Sequence, residues 1–194
     1  VLTIVAQKSR RTSRAVERNS EKVTPEEILS RDGSNRQMEF DIRQYAKEKG
    51  IWLNDPIAEL TDMYGTPIGE GQESVVWADD KRGVVIKAKS SELYETIEEL
   101  LEGIVLNNLL LPQNNQHVIA FGYDKDGMFR VIYETPYVEL GDDVVSQAEK
   151  DSHMESLGFY KIGDNLYTNG VYEVRDLHNQ NIVNDSEGNI QITD

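Results

Sequence analysis

The chain of 194 residues contains no cysteine. It therefore has no disulfide framework and no cysteine-based zinc site, and its three histidines (His117, His153, His178) are too scattered for a metal-ligand spacing. No stretch approaches the roughly 18 consecutive apolar residues expected of a membrane span. The N-terminus also lacks the apolar core of a signal peptide. These absences predict a soluble, cytoplasmic protein.

Basic residues are also few, since 20 Lys and Arg stand against 35 Asp and Glu and give a formal net charge of -15. Six of the basic residues lie in the first 22 positions, so the rest of the chain is strongly acidic and should repel nucleic-acid phosphates. Two interpretations of this basic arm stay open: a solvated, partly disordered tail, which we favour, and a segment that contacts a polyanion. Its arginines are Arg10, Arg11, Arg14 and Arg18.

Two helices are predicted before the main domain. The run Thr24-Pro25-Glu26-Glu27 has the form of a capping box, which favours a helix starting there. A second helix is expected over residues 37–49, because Gly50 can take the left-handed conformation that ends a helix. Its apolar stripe would be Met38, Ile42 and Tyr45. These helices predict an extension packed on the main domain.

From Ile51 onward short β-rich runs alternate with turn residues. The predicted order is strands at 64–68, 74–77 and 83–89, a helix at 91–111, and strands at 117–123 and 128–134. The helix would bury Leu93, Ile97, Leu100, Leu101, Ile104 and Val105. Asp124-Lys125-Asp126-Gly127 is a strong turn signal between the last two strands. A helix at 144–157, a hairpin at 159–172 and a terminal loop and strand follow.

A glycine-containing loop precedes a lysine-bearing strand. Gly69 and Gly71 would let the backbone approach phosphates closely, although this motif alone is typical of an ordinary hairpin turn. Lys87 follows three apolar strand residues at a hairpin's distance from the loop, which favours a lysine directed into a cleft. A cation there needs an anionic partner, for which we choose Glu102 of the predicted helix, with Glu98 as second choice.

Three oxygen-bearing side chains near the end of the sequence have a spacing suited to phosphoryl transfer. Asp176 is followed five positions later by Asn181 and, after a short hairpin, by Asp194. Such groups can orient a hydroxyl and hold a divalent metal against phosphate oxygens. We predict Asp176 as the catalytic base or hydroxyl-orienting group, and Asn181 and Asp194 as metal ligands. The alternative is that Asp176 and Asn181 only make local side-chain turns.

Taken in order, these motifs resemble the protein-kinase-like superfamily over residues 65–194. Residues 69–76 resemble its glycine-rich loop, with Ser74 in place of the third glycine, and 84–87 the strand whose lysine contacts the α and β phosphates. Leu157-Gly158-Phe159 before a hairpin, and Asp-Leu-His-x-x-Asn after it, are most similar to compact kinase domains in polyvalent proteins of bacterial mobile elements. Asp176-Leu177-His178 is also similar to aminoglycoside and choline kinases, so the acceptor stays open.

The resemblance implies an α+β, protein-kinase-like fold with an antiparallel five-stranded N-lobe carrying one helix, a reduced C-lobe and a helical N-terminal extension. The expected domains are 1–50, 51–139 and 140–194. It also implies ATP and Mg²⁺ bound between the lobes, with adenine against the backbone of Glu134 to Val138. The residues implied to hold the nucleotide phosphates are Gly69, Gly71, Ser74 and Lys87. Val76 and Glu134 complete the implied nucleotide-binding set.

The implied activity is transfer of the γ-phosphoryl group of ATP to a hydroxyl acceptor, a protein or a small molecule. The alternative is a catalytically inactive pseudokinase or interaction module. Two departures suggest it: Ser74 replaces a glycine, and Val174 stands where the family has the His of His-Arg-Asp. Without that His, the loop carrying Asp176 lacks its usual backbone anchor.

Overall fold

The computed structural model describes the backbone of residues 3–6, 25–71 and 73–193, with side chains from residue 35 onward. Thr24, Gln72, Asp194 and the arginines of the basic arm lie outside the described residues. The chain divides into two compact units. The sheet unit comprises Val23–Ile104 and Asn115–Tyr137, and the loop unit comprises Val1–Lys22, Val105–Asn114 and Val138–Asp194. The domain boundaries expected from the sequence stay a prediction.

The described residues form four helices and twelve strands. In chain order they are β1 (Thr3–Ala6), α1 (Pro25–Lys49), β2 (Trp52–Leu53), α2 (Pro56–Tyr64), β3 (Gly69–Glu70), β4 (Ser74–Asp79), β5 (Val84–Ser90), α3 (Ile97–Leu110), β6 (His117–Tyr123), β7 (Phe129–Pro136), α4 (Gln147–Ser156), β8 (Tyr160–Gly163), β9 (Leu166–Thr168), β10 (Tyr172–Arg175), β11 (Ile182–Asn184) and β12 (Ile190–Ile192). A 3₁₀ turn, Pro112–Asn114, follows α3. None of the described helices is long and apolar enough to cross a bilayer.

The sheet unit is built on a six-stranded sheet in the order β2-β6-β7-β5-β4-β3. Neighbours from β6 to β3 are antiparallel, and β2 pairs in parallel with the outer edge of β6. The sheet therefore has six strands where five were expected, because Trp52 and Leu53 add a short edge strand. The turn predicted at Asp124–Gly127 is confirmed, since the Asp124 carboxylate accepts the Asp126 and Met128 amides and Gly127 has φ 81°.

Helix α1 is one continuous helix where two were expected. A glycine such as Gly33 inside a helix costs only about 1 kcal/mol, which neighbouring turns can absorb without ending the helix. The helix ends at Gly50, whose φ of 70° is left-handed, as predicted. Met38 and Ile42 pack on the core, but Tyr45 is 54% exposed and Ala46 is buried in its place. Spacing of four residues, 38 to 42 to 46, defines the buried stripe.

The strand predicted at residues 64–68 is wrong. Helix α2 occupies Pro56–Tyr64 and ends before Gly65, which has φ 84°. The Asp55 carboxylate accepts the Ala58 amide as an N-cap, and Pro56 occupies the first turn. Asp followed by Pro is a helix-start signal that the sequence interpretation overlooked. The first strand before the lysine-bearing hairpin is therefore β3.

Helix α3 begins at Ile97 rather than at residue 91. The Thr96 hydroxyl accepts the Glu99 amide at 3.0 Å, which caps the helix at that point. Two residues assigned to its apolar face are wrong: Leu93 precedes the helix and is 52% exposed, and Val105 is 65% exposed. The remaining members pack as expected, since Ile97, Leu100 and Ile104 are buried and Leu101 is partly buried.

The two faces of the six-stranded sheet are covered by different helices. Helices α1 and α3 contribute to one core, with Phe129, Val131 and Tyr133 of β7. Helix α2 contributes Leu60 to the other, which holds Trp77 of β4 and Ile86 of β5. Alternation along each strand assigns neighbouring residues to opposite faces, which fixes where each functional side chain lies.

The loop unit contains helix α4, a four-stranded sheet and a terminal hairpin. The sheet has the order β1-β10-β9-β8, and β11 pairs with β12. A capping box of Ser146 and Glu149 starts α4 three residues later than predicted. Pairing of β1 with β10 shows that the first residues of the basic arm are not simply a solvated tail. The unit's core contains Met154, Phe159, Tyr167, Val174, Leu177, Ile182 and Ile192.

Candidate active site

One cross-strand row collects three residues predicted to bind nucleotide. Gly69 of β3 pairs with Val76 of β4, Val76 pairs with Lys87 of β5, and Lys87 pairs with Tyr133 of β7. Directly paired residues present their side chains on the same face of a sheet. The register therefore brings Gly69, Val76 and Lys87 side by side.

Lys87 lies on the sheet face that α3 covers. Its row partner Tyr133 is 1% exposed and belongs to the core formed with α3. Lys87 itself is largely buried at 9% exposure. Glu102 and Glu98 occupy exposed positions of α3. Which of the two pairs with Lys87 remains a prediction.

A second lysine on this face was missed from the sequence. Lys89 is also 9% exposed, and its Nζ lies 3.9 Å from Glu73 Oε2 and 5.4 Å from the ring centroid of Tyr94. The spacing of two residues along β5 is the signal that points to it, because alternate strand residues share a face. Lys89 thus has a carboxylate partner within the sheet unit.

The glycine-containing loop needs no glycine for its own fold. The Gly71 amide donates to the Ser74 carbonyl at 3.0 Å, which closes the turn before β4. A Cβ built on Gly71 would meet no heavy atom within 4 Å, and one on Gly69 would meet Val76 Cβ at 3.7 Å, an ordinary contact. Neither residue has a positive φ. Ser74, in place of a third glycine, is the first residue of β4 and pairs with Lys89.

Glu134 lies in β7, where it pairs with Ile86 on one side and His117 on the other. In a central strand both backbone groups of a residue serve the ladder, so an adenine contact would fall to the residues after Glu134. The Glu134 carboxylate accepts a hydrogen bond from Arg82 Nη1 at 2.8 Å. Hydrogen bonds to Asp79 and Glu134 raise the pKa of Arg82, and the bond from Arg82 lowers the pKa of Asp79.

The loop after β10 carries the predicted catalytic base. Asp176 has a left-handed φ of 61°, which is uncommon for a residue other than glycine, and its side chain is 51% exposed. The His178 Nε2 lies 3.6 Å from Asp176 Oδ2. Val174, two residues earlier, is fully buried in the loop unit's core. An apolar side chain fits that position, which accounts for the missing His in terms of packing.

Leu177, which follows Asp176, has hydrogen bonds to both its backbone N–H and its backbone C=O. The Leu177 amide donates to the Asn165 carbonyl at 3.1 Å, and the Leu177 carbonyl accepts Lys150 Nζ at 2.7 Å. Lys150 also donates to Asn165 Oδ1 at 3.2 Å. Burial lowers the pKa of Lys150, which is only 3% exposed, and nearby Lys161 adds to the effect. Sequence reasoning missed Lys150 and Asn165, since no local motif marks either.

Asn181 is oriented by the same loop. Its side-chain Nδ2 donates to the Asp176 carbonyl at 2.9 Å, so the amide oxygen is turned away from that contact. The Thr193 amide donates to the Asn181 carbonyl at 3.0 Å, and Thr193 Oγ1 donates to the Gln180 carbonyl at 3.3 Å. The residue preceding Asp194 therefore lies beside Asn181. Asp194 itself is outside the described residues.

An open cavity of about 510 Å³ adjoins the loop. It is lined by Gln147, Lys150, Asn165, His178, Asn179 and Gln180. Its lining is mostly amides, with one imidazole and one ammonium group. Within residues 35–71 and 73–193, no three acidic or histidine side chains cluster as a metal site. An amide such as Asn181 is outside that search, and Mg²⁺ commonly uses only one or two protein ligands besides phosphate and water.

A family model described as a serine/threonine/tyrosine kinase found in polyvalent proteins matches residues 35–194. The chain belongs to this kinase family. No curated protein and no solved structure matches it. Family membership confirms the resemblance inferred from the motifs and fits the mixed α and β architecture. The chain is thus a kinase-like protein of the phosphotransferase type.

The match includes both the cross-strand row and the loop after β10. It begins at residue 35, within α1, so the matched segment includes the second half of that helix. Ser74 and Val174, the two departures from the general kinase pattern, occupy a strand start and a core position. Val174 therefore has a packing role in the core of the loop unit.

Proposed function

We propose that the protein is an ATP-dependent phosphotransferase that transfers the γ-phosphoryl group to a hydroxyl acceptor. The observation that carries the proposal is the arrangement of Asp176 and Asn181 within the matched kinase segment. The hydrogen bond from the Asn181 side chain to the Asp176 carbonyl fixes the amide beside the proposed base, and the Asp176 carboxylate is half exposed and accessible to an acceptor. Such positioning is most of what a protein contributes to phosphoryl transfer.

Asp176 would act on the acceptor. The acceptor hydroxyl gives its proton to the Asp176 carboxylate while its oxygen forms the new bond to the γ-phosphorus. The bond from that phosphorus to the bridging oxygen breaks, and the electron pair leaves with ADP. A carboxylate suits this role because it both accepts the proton and orients the attacking oxygen.

Lys87 and the row beside it would hold the nucleotide. The ammonium group of Lys87 would bind α- and β-phosphate oxygens, with Glu102 or, as second choice, Glu98 holding its rotamer. Val76 would present an apolar side chain next to it, since the two residues are cross-strand partners. The adenine would contact the backbone of the residues that follow Glu134, up to Val138.

The loop from Gly69 to Ser74 would lie against the phosphates. Support comes from the lack of any need for glycine within the fold, because a Cβ at Gly69 or Gly71 would crowd no atom of the chain. Since the fold does not require glycine at these two positions, we attribute the glycines to phosphates that approach the backbone closely.

The donor set fits Mg²⁺, which prefers hard oxygen ligands. Asn181 offers an amide oxygen whose nitrogen is already committed to Asp176. Asp194, which follows Thr193, would supply a carboxylate. When bound, the ion supplies neutralisation of the phosphate charge, and these two residues are the ones we assign to hold it.

The decisive experiment compares Asp176→Asn with wild type, using γ-labelled ATP and Mg²⁺. Acceptors are the protein itself, casein, choline and an aminoglycoside. We expect at least about a 10²-fold loss of transfer, the usual scale for a lost general base. Asp164→Asn, an exposed residue of the β8–β9 turn, is the matched control and should keep full activity. Equal rates for Asp176→Asn and wild type would remove Asp176 from this role.

The rival function is a pseudokinase or interaction module that uses the same fold as a scaffold. Ser74 and Val174 are the departures that motivate it. Calorimetry with ATP and Mg²⁺ separates the two in part, because a scaffold that lacks a nucleotide site would give neither heat nor a thermal shift. Binding without transfer to any acceptor in the panel would favour a nucleotide-binding pseudokinase.

A further inference from the structure

We propose that Lys150 is a positioning residue that locks the loop carrying Asp176, in place of the histidine that Val174 replaces. The inference rests on the proposed function for its catalytic consequence. The contact itself stands on geometry within the loop unit alone. Lys150 projects from α4 and reaches a loop 27 positions further along the chain.

The first step is that Lys150 is not a surface charge. Its side chain is 3% exposed, and its ammonium group donates to two neutral oxygens, Leu177 O at 2.7 Å and Asn165 Oδ1 at 3.2 Å. Burying an ammonium group is costly unless its hydrogen bonds are satisfied. Met or Leu would fill this space at lower cost, so a lysine at this position points to a use for its hydrogen-bond donors.

The second step concerns what the lysine holds. Leu177 is bound on its amide by Asn165, on its carbonyl by Lys150, and through a fully buried side chain in the core. Leu177 directly follows Asp176, whose φ of 61° is a conformation that L-residues rarely keep unless their surroundings impose it. Fixing Leu177 therefore fixes the backbone from which the Asp176 carboxylate projects.

The third step links the clamp to the rest of the loop. The Asp176 carbonyl accepts both the His178 amide at 2.8 Å and the Asn181 side chain at 2.9 Å. A shift of the peptide between Asp176 and Leu177 would move the base and the amide of Asn181 together. A small misplacement of such groups can cost about 10²-fold in rate.

The test uses the full chain in four variants, one of which is the conservative Lys150→Arg. Lys150→Met keeps the length of the side chain and removes the donors. Asn165→Gly removes the side-chain acceptor while allowing the φ of 52° at that position, and guards against a failure of Lys150→Met to fold. Lys125→Met, an exposed lysine of the β6–β7 turn, is the charge-matched control, because the sheet unit that contains it holds neither Lys150 nor Asp176.

Two readouts are measured on each variant: amide hydrogen exchange at residues 177–182, and kcat with the KM for ATP. We expect Lys150→Met to speed exchange at Leu177, Asn181 and Ile182 at least tenfold. We expect it to lower kcat about 10-fold to 100-fold with KM for ATP changed less than twofold. Asn165→Gly should show the same pattern more weakly, Lys150→Arg should partly restore kcat, and Lys125→Met should match wild type.

The outcomes separate the two proposals. Faster exchange with an unchanged kcat would overturn the positioning role and leave Lys150 a structural residue only. Unchanged exchange in Lys150→Met would overturn the clamp itself. If wild type transfers no phosphate to any acceptor, the proposed function fails, and the exchange measurement still decides whether Lys150 locks the loop.

Discussion

The side-chain amide of Asn181 donates to the backbone carbonyl of Asp176 across a distance of 2.9 Å. The bond spans five residues and removes the ambiguity between the two ends of the amide, because a carbonyl can only face its nitrogen. One interaction therefore sets both the backbone of the proposed base and the direction of the proposed metal ligand.

Replacing Asn181 with Asp tests this coupling. The new carboxylate would face the Asp176 carbonyl, which repels it, so the ligand oxygen should rotate away from its position. We expect the Mg²⁺ concentration for half-maximal binding of an ATP analogue to rise about 10-fold, the scale of a disturbed ligand environment. Calorimetry over a range of Mg²⁺ concentrations measures it.

Asn184→Asp is the matched control for that variant. Asn184 also donates from its side chain to a backbone carbonyl, that of Asp143 at 3.3 Å, but it has no assigned ligand role. Its Mg²⁺ dependence should equal that of wild type. An equal shift in both variants would mean that the change in charge, rather than the position of Asn181, is responsible.

Gly71→Ala should separate nucleotide binding from stability. A Cβ added at Gly71 would meet open space, and the φ of Gly71 is not in the left-handed region. The free energy of unfolding should therefore change by less than about 0.5 kcal/mol. Binding of ATP should weaken several-fold, because the added methyl group would stand between the backbone and the phosphates. Urea unfolding and calorimetry on the same sample give both values.

Gly127→Ala supplies the opposite pattern. Gly127 has φ 81° in the β6–β7 turn, where an alanine costs about 1–2 kcal/mol in conformational strain. We expect lower stability with unchanged affinity for ATP. If Gly71→Ala binds ATP as tightly as wild type, the loop does not contact phosphate.

Local signals explain how much of the fold was predictable. Strand β6 matches its predicted range, because an apolar β-rich run is bounded by polar residues and by the Asp124–Gly127 turn. Helix α2 was missed although Asp55 and Pro56 signal a helix start. Burial of individual helix residues, such as Ala46 instead of Tyr45, depends on what packs against the helix.

The candidate site divides in the same way. Asp176, Asn181 and Lys87 belong to motifs with fixed spacing, so the sequence alone could nominate them. Lys150 could not be nominated, because its partner Leu177 is 27 positions away and a lysine in an acidic helix is normally solvated. No sequence motif marks Asn165 either. The role of its left-handed conformation is visible only from its hydrogen bond with Lys150 in the structure.

Lys87→Met and Lys89→Met should differ in kind. Lys87 is assigned to the phosphates, and loss of its charge should lower transfer about 10²-fold or more, the scale of a lost electrostatic donor. Lys89 has Glu73 and Tyr94 as partners, so its loss should lower stability and leave transfer per folded molecule nearly intact. Activity normalised to the folded fraction distinguishes them. The reverse ranking would assign the phosphate contact to Lys89.

The buried pair of Asp124 and Arg130 should give the sheet unit a pH-dependent stability. Burial alone would raise the pKa of Asp124, but hydrogen bonds from Arg130 and from the Met128 and Asp126 amides outweigh it and lower the pKa. The side chains are 3% and 7% exposed and lie 2.8 Å apart. We expect Asp124→Asn to cost about 3–5 kcal/mol at pH 7, since it leaves a buried charge unpaired.

The sign of the pH effect follows from the lowered pKa. Stability from Asp124 is fully present above its unfolded pKa of about 4 and is lost as the pH falls through the lower folded value. Urea unfolding from pH 7 down to pH 3 should therefore bring wild type and Asp124→Asn closer together. The Asp79–Arg82 pair, in which the Arg82 side chain is 47% exposed, is the control, and Asp79→Asn should cost far less because solvent reaches and screens that pair. A gap between wild type and Asp124→Asn that is constant with pH would contradict the assignment.

Strand β1 should stabilise β10, the strand that leads into the loop carrying Asp176. Thr3 pairs with Arg175 and Ala6 with Tyr172, so deleting residues 1–6 would turn β10 into an edge strand. Each lost cross-strand pair is worth roughly 0.2–1 kcal/mol, and exchange of the β10 amides that face β1 should speed up accordingly.

Replacing Arg10, Arg11, Arg14 and Arg18 with Gln is the control, because it removes charge from the basic arm and leaves β1 intact. Deletion of the whole arm, residues 1–22, would remove both the pairing of β1 with β10 and the arginine charges. A loss of polyanion binding is therefore attributable to charge only if the glutamine variant shows the same loss. Unchanged exchange in β10 after deletion of residues 1–6 would mean that β1 adds nothing to the strand preceding Asp176.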